Sequence, residues 1–181
     1  MERFENKVVF LTGAATGIGE ATAKRMAGEG ASLYIVDVDK SELEKTAQDC
    51  RRLGANVESE ICDVSDEDEV TGSVKNMLEL FGKVNVVANV AGIQLWHHTS
   101  DHPTSDFERT LAVNLTGTFL VCRELIPYLL ETKGSIVNVS STTALAGIPY
   151  SVAYAASKAG VLALTKSLAV EYAKRVYRLI V

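Results

Sequence analysis

What most constrains this chain is the regular alternation of short apolar runs with longer amphipathic ones. Lys7–Thr12 (KVVFLT) is almost wholly apolar and is followed by glycine, as a strand buried on both faces requires. Gly17–Glu29 carries Ile18, Ala21, Ala23 and Met26 at helical spacing and is closed by Gly28 and Gly30. Ser32–Val36 predicts a second strand, Ser41–Leu53 a charged helix stopped by Gly54, and Val57–Ile61 a weaker third strand. Ser65, with Asp68 three residues on, predicts the cap of a helix running to Leu80. Val84–Ala88 and Ser135–Val139 predict two more strands around a long helix over Asp106–Leu130, and Ser151–Tyr172 predicts another long helix. Such alternation builds right-handed βαβ units, and hence a doubly wound parallel sheet in a three-layer α/β/α arrangement. With 181 residues and no linker or repeat, residues 1–181 are expected to form a single domain.

The net charge of −5 argues against a nucleic-acid partner or an anionic membrane, both of which need clustered cations. Cys50, Cys62 and Cys122 are odd in number and far apart, so they are expected to be reduced thiols in a cytoplasmic setting. Met1–Asn6 is charged and leads straight into the first strand, which predicts no signal peptide, and no apolar run approaches the length of a bilayer span.

Between the first strand and the first helix lies Gly13-Ala14-Ala15-Thr16-Gly17-Ile18-Gly19. Glycines allow the tight turn and let a diphosphate approach the backbone, while the unpaired N–H groups of the helix beginning near Gly17 attract the anion. A glycine-rich turn alone is weak evidence, and a turn without a ligand is the plain alternative. Asp37 strengthens the ligand reading, because it ends the second strand near the ~20-residue offset of an acid that bonds an adenosine ribose. A carboxylate there repels a 2′-phosphate. Ala14, Ala15 and Val38 offer no compensating cation, and Lys40 is the nearest candidate, so NAD is favoured over NADP.

Tyr154 and Lys158 stand four apart on the last predicted helix, so both project from one face. A free phenol has a pKa near ~10. A unit positive charge ~4 Å away at an effective dielectric of ~20 is worth about 4 kcal/mol, roughly the shift that acid/base work at neutral pH requires. A half-buried Tyr beside a solvated Lys is the ordinary alternative.

Taken in order, the turn Thr12–Gly19, Asp63-Val64, Asn89-Val90-Ala91-Gly92, Asn114, Ser140-Ser141 and Tyr154/Lys158 resemble the short-chain dehydrogenase/reductase family in its compact form, from Lys7 to about Lys174. The resemblance implies a Rossmann-like fold and hydride transfer between NAD(H) and a secondary alcohol or ketone. It implies that Tyr154 is the general acid/base, that Lys158 lowers the Tyr pKa and bonds the nicotinamide ribose, and that Ser141 bonds the substrate carbonyl. Asn114 would hold a water linking Lys158 to solvent. Gly13, Thr16, Gly17, Ile18 and Gly19 would take the pyrophosphate, Asp37 the ribose, Asp63 and Val64 the adenine, and Asn89, Ala91 and Gly92 would line the cleft. Family members pair through their two long helices, which implies a homodimer or homotetramer; Ala155, Ala156, Ala159, Gly160 and Ala163 supply a small-residue surface on one of them.

Leu95-Trp96-His97-His98 to Pro103 and Leu145–Tyr150 would border the substrate. His98 and His102 have a ligand-like spacing, but a polar loop is the simpler reading and no metal is expected. Relatives continue past the position of Lys174 through a sixth strand, a Pro-Gly motif, a substrate lid and a last strand. Here Tyr177–Val181 is expected to supply at most a short sixth strand, without the usual last strand or lid. On that expectation the adenosine site persists, enclosure of the nicotinamide does not, and a non-catalytic NAD-binding or oligomer-regulating protein stays open as the alternative.

Overall fold

β1, Val8–Thr12, is buried along its whole length and lies inside the sheet. The structure, a computed structural model, describes residues 3–173 and the backbone of 178–180. After β1 come α1 (Gly17–Ala27), β2 (Ser32–Asp37), α2 (Lys40–Arg52), β3 (Val57–Ile61), α3 (Glu67–Phe81) and β4 (Val86–Asn89). Then follow α4 (Thr104–Leu111), α5 (Gly117–Thr132), β5 (Ser135–Asn138), α6 (Val152–Tyr172) and β6 (Arg178–Ile180). All neighbouring strands are parallel, in the order β3-β2-β1-β4-β5-β6. Strand periodicity divides the core in two. Val8 and Phe10 join Val74, Met77 and Leu125 on one face, while Val9 and Leu11 join Ala23, Leu43 and Ala47 on the other. This is the doubly wound α/β/α fold the alternation predicts, and its order reverses between β1 and β4.

Three local expectations need correction. α3 is capped by Asp66, not Ser65: the Asp66 carboxylate accepts from the N–H groups of Asp68 and Glu69. A carboxylate both caps and complements the helix dipole, whereas the Ser65 hydroxyl is spent on Asp63 at 2.7 Å. The predicted helix over Asp106–Leu130 begins at Thr104, ends at Thr132, and is interrupted by a π-turn at Ala112–Thr116. Such wide turns are rare, and this one carries Asn114, whose side chain bonds the Ile93 peptide. The stretch Thr99–Asp101, predicted as plain loop, forms a short 3₁₀ turn. In the expected sixth strand, Arg178–Ile180 pairs with β5, with Leu179 opposite Ile136; Tyr177 and Val181 lie outside the described residues. Among the described residues no helix is long and apolar enough to cross a membrane.

Candidate active site

The turn after β1 is shaped by what its glycines exclude. Gly13 (φ +71°) and Gly17 (φ +60°) adopt left-handed backbone. A Cβ on Gly13 would stand 2.6 Å from the Ala91 nitrogen, and one on Gly19 only 1.8 Å from the Gly13 carbonyl oxygen, whereas Gly17 faces open space. Thr12 Oγ1 accepts from the N–H groups of Val90 and Ala91, both at 3.2 Å, which fixes the loop after β4 against the turn. α2 and α3 have carboxylate caps, but Thr16 makes no side-chain bond to the start of α1.

A cavity of about 460 Å³ opens at this reversal point. Gly13, Thr16, Ile18 and Gly19 line its middle. Toward β2 and β3 it is bordered by Asp37, Val38, Asp63, Val64 and Arg109, and toward β5 by Gly92, Tyr154 and Lys158. Asp37 is held by the N–H of Ala15 and that of Asp39, each at 3.0 Å, so its carboxylate is anchored on the glycine turn itself. Ile18 and Val38, both well exposed, give that end of the cavity apolar walls.

At the other end α6 carries Tyr154 and Lys158 on one face. The ammonium of Lys158 lies 5.7 Å from the centre of the Tyr154 ring and donates to the carbonyl of Val139 at 2.7 Å. The Ser140 hydroxyl donates to the Lys158 carbonyl at 2.8 Å, which ties α6 to the end of β5. Lys158 is almost fully buried, and burial pushes its ammonium down to about 8.

Asn114, fully buried in the π-turn, brackets the Ile93 peptide: its Oδ1 accepts from the Ile93 N–H (2.8 Å) and its Nδ2 donates to the Ile93 carbonyl (2.9 Å). The Nδ2 also donates to Ser157 Oγ at 3.0 Å. The residue therefore clamps the loop beside the cavity. A Cβ on Gly92 would meet both Asn114 Oδ1 (3.2 Å) and Lys158 Nζ (3.4 Å), so the absence of a side chain there keeps both groups in place.

Of the predicted site residues, Gly17, Asn89, Asn114 and Ser141 lie outside the cavity lining. Asn89, the last residue of β4, is buried and donates to Asn138 Oδ1 at 2.8 Å on the neighbouring strand. Ser141 accepts from the Thr143 N–H at 3.2 Å and caps a short 3₁₀ turn. Around the predicted substrate loop, His97 Nε2 pairs with Asp106 Oδ2 at 2.8 Å, and the His98 ring packs edge-on against Tyr150 at 4.5 Å. Among the described residues no three or more His, Cys, Asp or Glu are grouped to hold a metal ion. Arg109 and Ser157 were not anticipated. The buried Ser157, beside Lys158, donates to the Tyr154 carbonyl at 2.7 Å and is legible only once Asn114 is known to face α6.

The geometry agrees with the comparisons to known proteins. The sequence model of the short chain dehydrogenase family matches residues 7–180. The chain is 41% identical over 175 residues to the oxidoreductase YxbG of Bacillus subtilis, covering 96% of this chain and 64% of that protein. It is 37% identical over 174 residues to the 3-oxoacyl-(acyl-carrier-protein) reductase FabG of Thermotoga maritima, covering 96% and 71% respectively. The crystal structure of NAD+-bound xylitol dehydrogenase superposes with a TM-score of 0.94 at 35% identity, over 98% of this chain and 69% of that one. The chain thus spans about two thirds of the length of the proteins it matches. A doubly wound sheet, a glycine turn at its reversal point and a Tyr–Lys pair across the same cleft place this chain in the short-chain dehydrogenase/reductase family of oxidoreductases.

Proposed function

We propose that residues 1–181 form one dinucleotide-binding and catalytic domain that interconverts a secondary alcohol and a ketone with NAD(H). The observation that carries this reading is the placement of Tyr154 and Lys158 in the same cavity as the turn of Gly13, Thr16, Ile18 and Gly19. The residues fit the cofactor. The uncapped start of α1 and the bare face at Gly17 suit a diphosphate, and Asp37 suits a pair of ribose hydroxyls. Asp63 and the Val64 backbone would face the adenine, and Ala91 and Gly92 the reactive half. When bound, the nicotinamide supplies or accepts the hydride.

The chain's own groups handle the proton. The Tyr154 hydroxyl gives a proton to the carbonyl oxygen in reduction and takes it back in oxidation. The Lys158 ammonium stabilises the phenolate left behind and is within the same pocket to bond the nicotinamide ribose. Ser141 would donate its hydroxyl proton to the substrate oxygen and its developing charge, while still accepting from the Thr143 N–H. Asn114 contributes by fixing the Ile93 peptide, and a water held near it would connect Lys158 to solvent.

Preference for NAD follows from Asp37, since the cations lining the cavity are Lys158, at the far end, and Arg109, already bonded to Asp63. Asp37→Asn is expected to lower the ratio of NAD to NADP affinity by about tenfold or more, because it removes repulsion of the 2′-phosphate while keeping the shape. Titrating both cofactors against both proteins checks it; an unchanged ratio removes Asp37 from cofactor choice.

The protein is further proposed to be a cytoplasmic homodimer or homotetramer assembled through its long helices. Phe119 on α5 and Val170 on α6 are exposed, and Ala156, Ala159 and Ala163 line the outside of α6; Gly160 instead packs on Leu115. Ala159→Arg is expected to shift the sedimenting species to monomer. A wild-type chain sedimenting as a monomer at micromolar concentration contradicts the assembly.

A further inference from the structure

One charged group lining the cleft has no part in the proton chemistry. Arg109, on α4, reaches across to the loop that follows β3. Its Nη2 donates to Asp63 Oδ2 at 2.7 Å and its Nη1 to Ser65 Oγ at 2.5 Å. Ser65 completes the ring by donating to Asp63 Oδ1 from its N–H (3.0 Å) and its hydroxyl (2.7 Å). The Asp63 N–H is itself taken by Glu69 Oε2 at 2.7 Å. Three donors thus fix the carboxylate in position and orientation, and Glu69 holds the backbone beneath it.

The fixed carboxylate still faces the cavity, with 29% of the Asp63 side chain exposed. Partial burial works to raise its carboxyl, but the hydrogen bonds from Ser65 and the guanidinium of Arg109 outweigh it and hold it below the usual carboxylate range. It is therefore an obligate acceptor at neutral pH. The fork of a guanidinium, unlike a flexible ammonium, sets direction as well as charge.

Sheet order says what this acceptor can meet. A diphosphate at the turn after β1 puts the first ribose at Asp37 on β2, and the base then extends toward the end of β3, one strand spacing of about 4.8 Å further out. The apolar walls there, Val38 and Val64, suit the faces of a planar ring, and Asp63 stands at its edge. We infer that Arg109 is a positioning residue for base recognition: by clamping Asp63 as a fixed acceptor, it makes this end of the cleft select a purine with an exocyclic amino donor. The inference rests on the dinucleotide reading above.

The test compares AMP with purine riboside 5′-monophosphate, which lacks only the amino group, by calorimetric titration of the full chain. Wild type is expected to bind AMP roughly tenfold more tightly, the size of one hydrogen bond to a charged group that remains partly solvated. In Arg109→Met the preference falls to about twofold, and Arg109→Lys lies between. Arg109 is half exposed, so the fold should tolerate these changes. Ser65→Ala removes the other arm of the ring and should reduce the preference as well. Equal weakening of both nucleotides in Arg109→Met, with the ratio kept, overturns the inference and makes Arg109 a general anion anchor. So does a wild-type ratio near one. Failure of wild type to bind either nucleotide removes the dinucleotide reading itself, and the inference with it.

Discussion

Tyr154→Phe is expected to lower kcat by about three orders of magnitude, within the usual range for a lost general acid/base, while dinucleotide affinity stays within roughly threefold of wild type. The substitution deletes one oxygen. The ring that packs beside the Lys158 ammonium remains, as does the main-chain carbonyl that accepts from Ser157, so neither α6 nor the cavity wall has reason to move. The loss should fall on kcat and kcat/KM alike, because the proton is shared only as the carbon–oxygen bond order changes. Steady-state kinetics on any turned-over secondary alcohol, with nucleotide titration on the same preparation, check it. Retention of more than about a tenth of the activity would assign the proton to another group.

Lys158→Met is expected to cost activity and return stability. The ammonium faces the Tyr154 ring from α6, and its loss is expected to lower kcat by roughly 10²- to 10³-fold. Its burial is unfavourable to the fold: the pKa is lowered from 10.5 to about 8, a difference worth about 3 kcal/mol. Below about 8 the group is charged in both folded and unfolded chains, and the burial cost is fully present. Between about 8 and 10.5 the unfolded chain holds a proton that the native state has released, so wild-type stability rises with pH through this window. The methionine variant carries no such dependence. Its stability relative to wild type should therefore fall by about 3 kcal/mol between pH 7 and pH 11, as denaturant midpoints would show. At pH 7 the gain is offset in part by the Val139 carbonyl left without its donor. A pH-independent difference between the two proteins would show that the Lys158 charge is not buried at a cost. Ketone reduction by wild type should likewise decline above about pH 8, as the ammonium that supports Tyr154 loses its proton.

The parts of this molecule that local chemistry dictates could be read directly from the sequence. Apolar runs such as Val8–Leu11 can be satisfied only inside a sheet, and the glycine turn, Asp37 and the Tyr154/Lys158 spacing all lie within single strand–turn or helical units. What stayed hidden depends on partners distant in the chain. Asn114, in the π-turn, bonds a peptide 21 residues upstream, a contact that no helical periodicity can reveal. Arg109 meets Asp63 across 46 residues, and on α4 alone it resembles any solvated helix cation. The sequence puts Asn89 beside the cleft with the loop after β4, but as the last strand residue its buried amide bonds Asn138 on β5, a partner 49 residues away. The Ser65 cap was displaced by one residue because Asp66 is the better acceptor for the start of α3.

The most direct measurement is the appearance of reduced-nicotinamide absorbance when the wild-type chain is mixed with NAD and a panel of secondary alcohols. A catalytic Tyr154 and Lys158 facing a bound dinucleotide predict that signal with at least one alcohol, and its disappearance in Tyr154→Phe. Saturable NAD binding with no absorbance change across the panel would contradict hydride transfer and leave a nucleotide-binding protein without turnover.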